Sequence, residues 1–347
     1  MKNSKKTIIY MLVFVILAAL TVYVMVTQSK SFSLHSFREI ISGMNPFWII
    51  MAFLGMLGFI FFEGWAIVII LKVFGYERKI RRGWFYSAPD VYFSAITPSA
   101  TGGQPASLYF MHQDKIPAAV STIALILNLT FYTASILLLG LVCFIIDPTI
   151  LGHFDPLSNT LITLGFIVQF VLMLTFILLV YKAEIVKKMA HGLLKLGVKL
   201  HLVKRMDKKL KKLDEMEIQY KECARLILKN KKALFGAFMC NFAQRVSQVL
   251  VSVFVFIGVT HGFRHSLDAF AVQGYVALGS NSVPIPGAIG AADYLYIDGF
   301  SDLLKDPVSV ELVSRGISFY VCVIACGIFT LSVYATRNLV KKKKNKK

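Results

Sequence analysis

Two short stretches rich in glycine and proline interrupt the long apolar, membrane-type segments of this chain. ITPSATGGQP occupies 96–105 and NSVPIPGAIG occupies 281–290, so one interruption falls in each half. Within a bilayer, non-helical backbone is tolerated only where protein buries it or where it lines a polar cavity. A matched pair of broken helices is typical of transporters, in which the breaks form the substrate site. The pattern therefore predicts a transporter.

The composition places the chain among polytopic helical membrane proteins. Hydrophobic residues make up 56% of its 347 residues, and the mean hydropathy is +0.65. Six nearly uncharged stretches are long enough to cross a hydrocarbon core of about 30 Å. They lie at 7–27, 46–71, 117–146, 157–181, 233–260 and 312–336. The first follows three lysines, as a signal peptide would, but it lacks a small-x-small cleavage site, so we expect an uncleaved helix.

Lysine and arginine orient these segments, because cytoplasmic loops near membrane helices carry an excess of positive charge. With an inside amino terminus, and with the broken regions 83–111 and 267–300 each returning to the side they start from, 32 of the 38 basic residues lie inside. If either broken region crossed the membrane fully, the basic residues that follow it would be distributed over both sides of the membrane. The sequence thus predicts an all-α membrane protein with six crossing helices, two re-entrant broken-helix hairpins and cytoplasmic termini.

This orientation inverts the two halves of the chain relative to each other, which is a recurrent transporter plan. We expect a first helix and outer loop at 1–45, inverted-repeat halves at 46–156 and 233–336, a crossing helix with a basic amphipathic segment at 157–232, and a basic tail at 337–347. The basic segment suits either the anionic leaflet or a solvated linker. The net charge of +19 lies in loops and ends on one side, which argues against nucleic acid as a partner.

The first break contains glycines that allow close backbone approach and a proline that suits the first turn of a new helix. That helix would point its amino end, with unpaired N–H groups, into the membrane interior. The candidate substrate-binding residues here are Thr97, Thr101, Gly102, Gly103 and Gln104.

The second break has the same features, and its candidate residues are Pro286, Gly287, Gly290 and Asp293. Two helix amino ends that converge from opposite sides would form an anion site, and a lipid phosphate is its natural occupant. The alternative interpretation is a pair of tight turns in which glycine serves helix packing rather than ligand approach.

Ionisable residues inside the apolar segments are the remaining candidates, because each would be costly facing lipid. Glu63 and Arg245 suit a buried pair, and Arg245 or Arg315 could bind a phosphate through two hydrogen bonds. Asp90 could hold a proton or a cation. Ion pairs that only fix helix packing are the alternative for each of these residues.

No pattern in the chain indicates catalysis or a cofactor. The five cysteines form no CxxC pair and have no histidine at metal-ligand spacing, so we expect neither disulfides nor a metal. Nucleotide-binding and hydrolase signatures are absent from the sequence. Any driving force would come from ion coupling or simple equilibration.

The segments ITPSATGGQPASLYFM and PIPGAIGAADYLYIDGF resemble the paired signatures of the lysylphosphatidylglycerol synthase transmembrane-region family. This flippase-like domain occurs in bacterial multiple peptide resistance factors and in stand-alone proteins. Relatives often have Glu where Asp293 stands. The resemblance implies translocation of aminoacylated phosphatidylglycerol, or of a related anionic phospholipid, in a bacterial plasma membrane. Display of the aminoacylated lipid lowers the negative surface charge and repels cationic peptides. It also implies that the aminoacyl-transferase domain of the long relatives is missing, so we expect no lysyltransferase chemistry.

Three hypotheses stay open at this point. The first is a lipid flippase, with membrane phospholipids as its partners and the head group passing the two breaks. The second is a membrane subunit of a separately encoded lipid-modifying enzyme, and the third is a transporter of small solutes or ions. The sequence does not decide whether the chain forms a homo-oligomer.

Overall fold

The computed structural model describes residues 34–199 and 206–344, and in these ranges it contains helices, turns and loops but no strand. The helices in chain order are α1 (Leu34–Gly43), α2 (Pro46–Val73), α3 (Trp84–Ile96), α4 (Gly103–Gln113), α5 (Ala118–Ile146), α6 (Pro156–Tyr181), α7 (Ala183–Lys199), α8 (Met206–Lys229), α9 (Lys231–Thr260), α10 (Ser266–Ser280), α11 (Ala291–Gly299), α12 (Pro307–Arg315) and α13 (Cys322–Lys344). A π-helical segment, Gly316–Val321, joins α12 to α13. The predicted all-α membrane fold is confirmed.

Five helical segments in the described part of the chain are long and apolar enough to cross a membrane. They are α2, α5, α6, α9 and the stretch Pro307–Arg337 formed by α12 and α13. These segments match five of the six predicted crossings, although the last begins at Pro307 rather than at residue 312. The predicted crossing at 7–27 lies outside the described residues, so the total of six stays a prediction.

Three of the crossing segments begin with the same local device. Asn45, Asp155 and Asp306 each precede a proline, and their side-chain oxygens accept hydrogen bonds from backbone N–H groups of the first turn. Such a cap pairs a donor that the helix leaves unsatisfied, and proline at the next position has no N–H to satisfy. The sequence thereby fixes where α2, α6 and α12 start.

Helices α3 and α4 pack against each other across the break at 97–102, and we call this unit the first hairpin. Ser99 and Ala100, at its tip, have φ values of 52° and 53°. The left-handed region is uncommon for residues with a side chain, so the surrounding structure must hold this turn in place.

Helices α10 and α11 form the second hairpin in the same way, with the break at 281–290. Gly287 and Gly290 have φ values of 63° and 87°, which glycine adopts without a steric penalty. At the base of this hairpin, Asp298 accepts a hydrogen bond of 3.0 Å from the backbone N–H of Asp155. That bond ties the second hairpin to the start of α6.

The two hairpins start from opposite ends of the helix bundle. Helices α2 and α9 are antiparallel, because Trp48 near the start of α2 stacks on Phe254 near the end of α9, whereas Glu63 further along α2 contacts Gln244. The first hairpin follows the end of α2, and the second follows the end of α9. Their bases therefore lie at opposite ends.

The tips of the hairpins meet between these ends, where the turn Pro98–Ala100 packs against the turn Pro286–Ala288. The longest of the four short helices has 15 residues and spans about 22 Å. A hydrocarbon core measures about 30 Å, so none of the four could cross it alone. The chain path thus has the inverted arrangement expected from the sequence, and its placement in a membrane stays a prediction.

Helices α7 and α8 contain most of the predicted basic segment. Glu217 of α8 pairs with Lys187 at 2.8 Å and with Lys221 at 2.7 Å. Hydrogen bonds from these two ammonium groups lower the pKa of Glu217 to about 2. The Tyr220 hydroxyl donates to the Leu179 carbonyl at 2.8 Å, which docks α8 on the end of α6. The α8 part of the segment therefore packs on protein, which neither earlier interpretation included.

The close packing of α6 on the second hairpin gives a first prediction. A Cβ at Gly165 would overlap the backbone oxygen of Leu278 in α10. Since a helix backbone cannot move aside locally, we expect Gly165→Ala to lower the free energy of unfolding by about 1–3 kcal/mol. Gly236→Ala in α9 is the matched control, because nothing lies within 4 Å of that position. Thermal unfolding in detergent measures both variants, and equal midpoints would contradict this packing.

Candidate functional site

The ionisable site residues that the sequence predicted lie with further polar residues in two clusters, one beside each break, and Arg245 of α9 lies between them. The first-break cluster consists of Glu63, Asp90, Gln104 and Gln244. The second-break cluster consists of Gly287, Asp293, Glu311 and Arg315.

Thr97 stabilises the first break through two hydrogen bonds to the backbone. Its hydroxyl donates to the Phe93 carbonyl at 2.6 Å and accepts from the Gly102 N–H at 2.9 Å. A Cβ at Gly102 would press against the Thr97 side chain. These two predicted site residues therefore stabilise the turn, and Thr101 between them is exposed.

Asp90 holds the two helices of the first hairpin together. Its carboxylate accepts hydrogen bonds from the Gln104 amide at 2.9 Å and from the Ser94 hydroxyl at 3.0 Å. A Cβ at Gly103 would overlap a carboxylate oxygen of Asp90. Glycine at this position is thus required by packing inside the hairpin, as the alternative interpretation of the glycines proposed.

Glu63 of α2 is buried beside the same hairpin. Its carboxylate accepts a hydrogen bond of 3.1 Å from the Gln244 amide of α9, and it lies next to the carboxyl group of Asp90. Two adjacent buried carboxyl groups repel each other when both are ionised, which favours binding of a proton or a cation. That role, predicted for Asp90, stays a prediction.

Arg315 organises the second break. Its guanidinium contacts the Asp293 carboxylate at 2.6 Å and the Glu311 carboxylate at 3.6 Å, and it donates to the Gly287 carbonyl at 2.7 Å. Gly287 packs under the ring of Phe319, which leaves no room for a side chain there. One buried cation thus joins α12, the start of α11 and the strained turn that begins at Pro286.

Both helices that begin at the breaks already have a carboxylate at their amino ends. Asp293 accepts a hydrogen bond of 2.9 Å from the Gly290 N–H at the start of α11. Asp90 lies against Gly103 at the start of α4. These carboxylates neutralise the positive ends of the helix dipoles. We expected the two helix ends to form an open anion site. In the structure, each end instead lies against a carboxylate of the chain itself.

Arg245 has no carboxylate partner among the described residues, and the predicted Glu63–Arg245 pair is wrong. The side chain is only 4% exposed. One terminal nitrogen donates to Gln248 at 2.8 Å, the Nε atom has no partner, and the guanidinium lies 4.0 Å from the centre of the Tyr132 ring. Glu63 is oriented toward Gln244 instead. Arg245 is thus a buried cation whose direct contacts are all neutral groups, with Glu63 within range of its charge but not paired with it.

Tyr132 connects Arg245 to the second break, because its hydroxyl donates to the Asn281 side chain at 2.6 Å. On the other side, Gln244 directly precedes Arg245 and binds Glu63 beside the first hairpin. Arg245 is therefore linked to both breaks through its immediate neighbours. Neutral polar residues such as Tyr132, Gln244 and Asn281 are not distinctive in a sequence, so we did not predict them as site residues.

Glu311 is the other site residue that the sequence analysis missed. The predicted last crossing began at residue 312, so Glu311 was placed outside the membrane segment. Its spacing of four residues before Arg315 was the available signal, because residues at i and i+4 share one face of a helix. The described residues contain no cluster of His, Cys, Asp and Glu suited to a metal ion.

The comparison with protein families identifies the chain. A family described as the lysylphosphatidylglycerol synthase TM region matches residues 9–326. The chain belongs to this family. The match includes both breaks, both clusters and Arg245, so the site lies entirely within the lysylphosphatidylglycerol synthase TM region. No curated protein and no solved structure matches the chain.

We predict that substitution of the two buried arginines has different effects on the stability of the protein. Arg315→Met would leave Asp293 and Glu311 without their cation, and we expect it to lower the free energy of unfolding by about 3–5 kcal/mol. Arg245→Met removes a buried charge without leaving a carboxylate unpaired, so we expect a loss below about 1.5 kcal/mol. Thermal unfolding of the two purified variants measures the difference. Equal losses would show that both arginines have the same structural role.

Proposed function

We propose that this membrane protein moves a phospholipid between the two leaflets, and that the anionic phosphodiester of the lipid passes the meeting point of the two hairpin tips. The family description names lysylphosphatidylglycerol, which contains such a phosphodiester although its lysyl group adds positive charge. The single observation that carries the proposal is the position and environment of Arg245.

Arg245 is the fifteenth of the 30 residues of α9. A helix of this length spans about 45 Å, so its midpoint lies near the centre of a bilayer. An arginine at that depth is costly unless an opposite charge or a polar cavity compensates it. The charge of Glu63 interacts with that of Arg245, but the Glu63 carboxylate is hydrogen-bonded to Gln244 and forms no ion pair with the arginine. A charged ligand is the partner that this environment lacks.

A phosphodiester suits the groups that surround Arg245. Guanidinium is planar and binds phosphate through two parallel N–H···O bonds, and its Nε–H has no partner in the structure. The guanidinium carbon lies over the Tyr132 ring, 4.0 Å from its centre, and this cation–π contact helps to hold the guanidinium in position. The family name contains a lipid with this phosphodiester.

The surroundings of the second break favour a lipid over a small solute. Ile285 within the break is 47% exposed. Phe319 covers Gly287, and two residues that follow Phe319 are also exposed: Val321 by 39% and Ile324 by 49%. These apolar side chains would face hydrocarbon in a membrane. A head group near the tips could therefore keep its acyl chains in the bilayer.

The experiment is a flip assay in proteoliposomes. Phosphatidylglycerol or phosphatidylcholine with a fluorophore on one acyl chain is incorporated, and an impermeant quencher reports the fraction in the outer leaflet over time. We expect faster exchange of phosphatidylglycerol than of phosphatidylcholine. Arg245→Gln should slow phosphatidylglycerol exchange about tenfold or more, because a buried charge-assisted contact to phosphate is worth at least about 1.4 kcal/mol.

Arg264→Gln is the matched control, because it makes the same chemical change in an exposed loop. It should exchange lipid at the wild-type rate. Wild-type exchange in Arg245→Gln, or equal exchange of the two lipids by the wild-type protein, would contradict the proposal.

A further inference from the structure

Three arginines converge on Asp114 at the base of the first hairpin, two on its carboxylate and one on its backbone carbonyl. Asp114, which follows α4, contacts Arg337 of α13 at 3.2 Å and Arg82 at 3.8 Å. Arg78 donates to the Asp114 backbone carbonyl at 2.9 Å. The Tyr86 hydroxyl donates to the same carboxylate at 2.8 Å. We call Arg78, Arg82 and Arg337 the arginine cluster.

The arginine cluster has more positive charge than its surroundings neutralise. Asp114 supplies one negative charge to three guanidinium groups. The second contact of Arg78 is to the Glu77 backbone carbonyl, whereas the Glu77 side chain pairs with Lys72. Arg82 and Arg337 therefore share one carboxylate, and Arg78 has only neutral partners among the described residues.

The three arginines differ in how firmly they are held. Arg337 lies over the rings of Phe85 and Phe110, and its side chain is only 17% exposed. Arg82 is 46% exposed and makes the longest contact to Asp114. Arg82 can therefore turn toward a ligand without the loss of a short ion pair.

The depth of the arginine cluster matches that of phospholipid head groups. The apolar helix α2 ends a few residues before Arg78, and α5 begins at Ala118, shortly after Asp114. Tyr109 is 44% exposed and lies beside Tyr334 of α13. Aromatic side chains of this kind concentrate where hydrocarbon meets water. Basic pockets between membrane helices at this level bind anionic head groups.

We propose that the arginine cluster is a second anion site, which binds the phosphodiester of an anionic phospholipid at this end of the bundle. The Asp114 carboxylate occupies the guanidinium groups when no lipid is bound. Arg82 makes the first contact with the phosphate, and Arg337 and Arg78 complete the site as Asp114 gives way. This binding does not depend on transport past the hairpin tips, so it extends beyond the proposed function.

Competition between Asp114 and the lipid distinguishes this site from a purely structural ion-pair network. Arg82→Gln removes a ligand of the phosphate, so binding should weaken. Asp114→Asn removes the competing charge but keeps an oxygen that accepts from Tyr86, so binding should become tighter. A network that only holds α13 against the hairpin would make both variants less stable and would change lipid binding in neither.

The test is a binding titration on the purified full-length chain in phosphatidylcholine nanodiscs. All variants also carry Arg245→Gln, so that the central arginine does not contribute. Short-chain phosphatidylglycerol and inorganic phosphate are the two ligands. Arg225→Gln, which alters an exposed arginine on α8 outside the cluster, is the matched control.

We expect phosphatidylglycerol to bind about tenfold more weakly to Arg82→Gln and about threefold more tightly to Asp114→Asn. The control should bind as the Arg245→Gln parent does. Unchanged affinity in Arg82→Gln, or weaker binding in a folded Asp114→Asn, would overturn the proposal. Equally tight binding of inorganic phosphate would overturn the assignment to lipid. If Arg245→Gln abolished flipping, that result by itself would not contradict lipid binding at the arginine cluster.

Discussion

The structure depends on the need to satisfy backbone polar groups wherever a helix stops inside the bundle. Hydrocarbon offers no hydrogen bonds, so each broken helix must find partners within the protein. Thr97 supplies them at the first break, and Asp293 and Arg315 supply them at the second. Each solution places ionisable or hydroxyl groups beside a tip. The carboxylates that neutralise the helix ends also occupy the place that a substrate anion would take there.

The two buried arginines have different roles in the structure, although the sequence suggested phosphate binding for either of them. Arg315 is surrounded by two carboxylates and a carbonyl, so its charge serves the shape of the second break. Arg245 contacts the Gln248 side chain and two aromatic rings, and it forms no ion pair among the described residues, although Glu63 lies within range of its charge. A buried charge without a partner is unfavourable for the folded state. A ligand of opposite charge would complete such a group, so the proposed function assigns substrate recognition to α9 rather than to the helix ends.

Most of the fold could be predicted because its determinants are local. Long apolar runs gave the crossing segments, Asx-Pro pairs mark three helix starts, and Gly and Pro mark both breaks. The partners of the site residues could not be predicted in the same way. Whether Glu63 meets Gln244 or Arg245 depends on the rotation of α9 about its axis, since adjacent helical residues point about 100° apart. Glu311 was missed for a different reason: the predicted segment started five residues later than the helix, so a membrane carboxylate was counted as part of a loop.

The most direct measurement is a cryo-electron microscopy map of the protein in nanodiscs that contain phosphatidylglycerol. The account predicts density for a phosphate within hydrogen-bonding distance of the Arg245 guanidinium, beside Tyr132 and between the two hairpin tips, with its acyl chains directed out of the bundle. An Arg245 side chain that contacts only Gln248 and aromatic rings, with lipid phosphates confined to the two ends of the bundle, would contradict it.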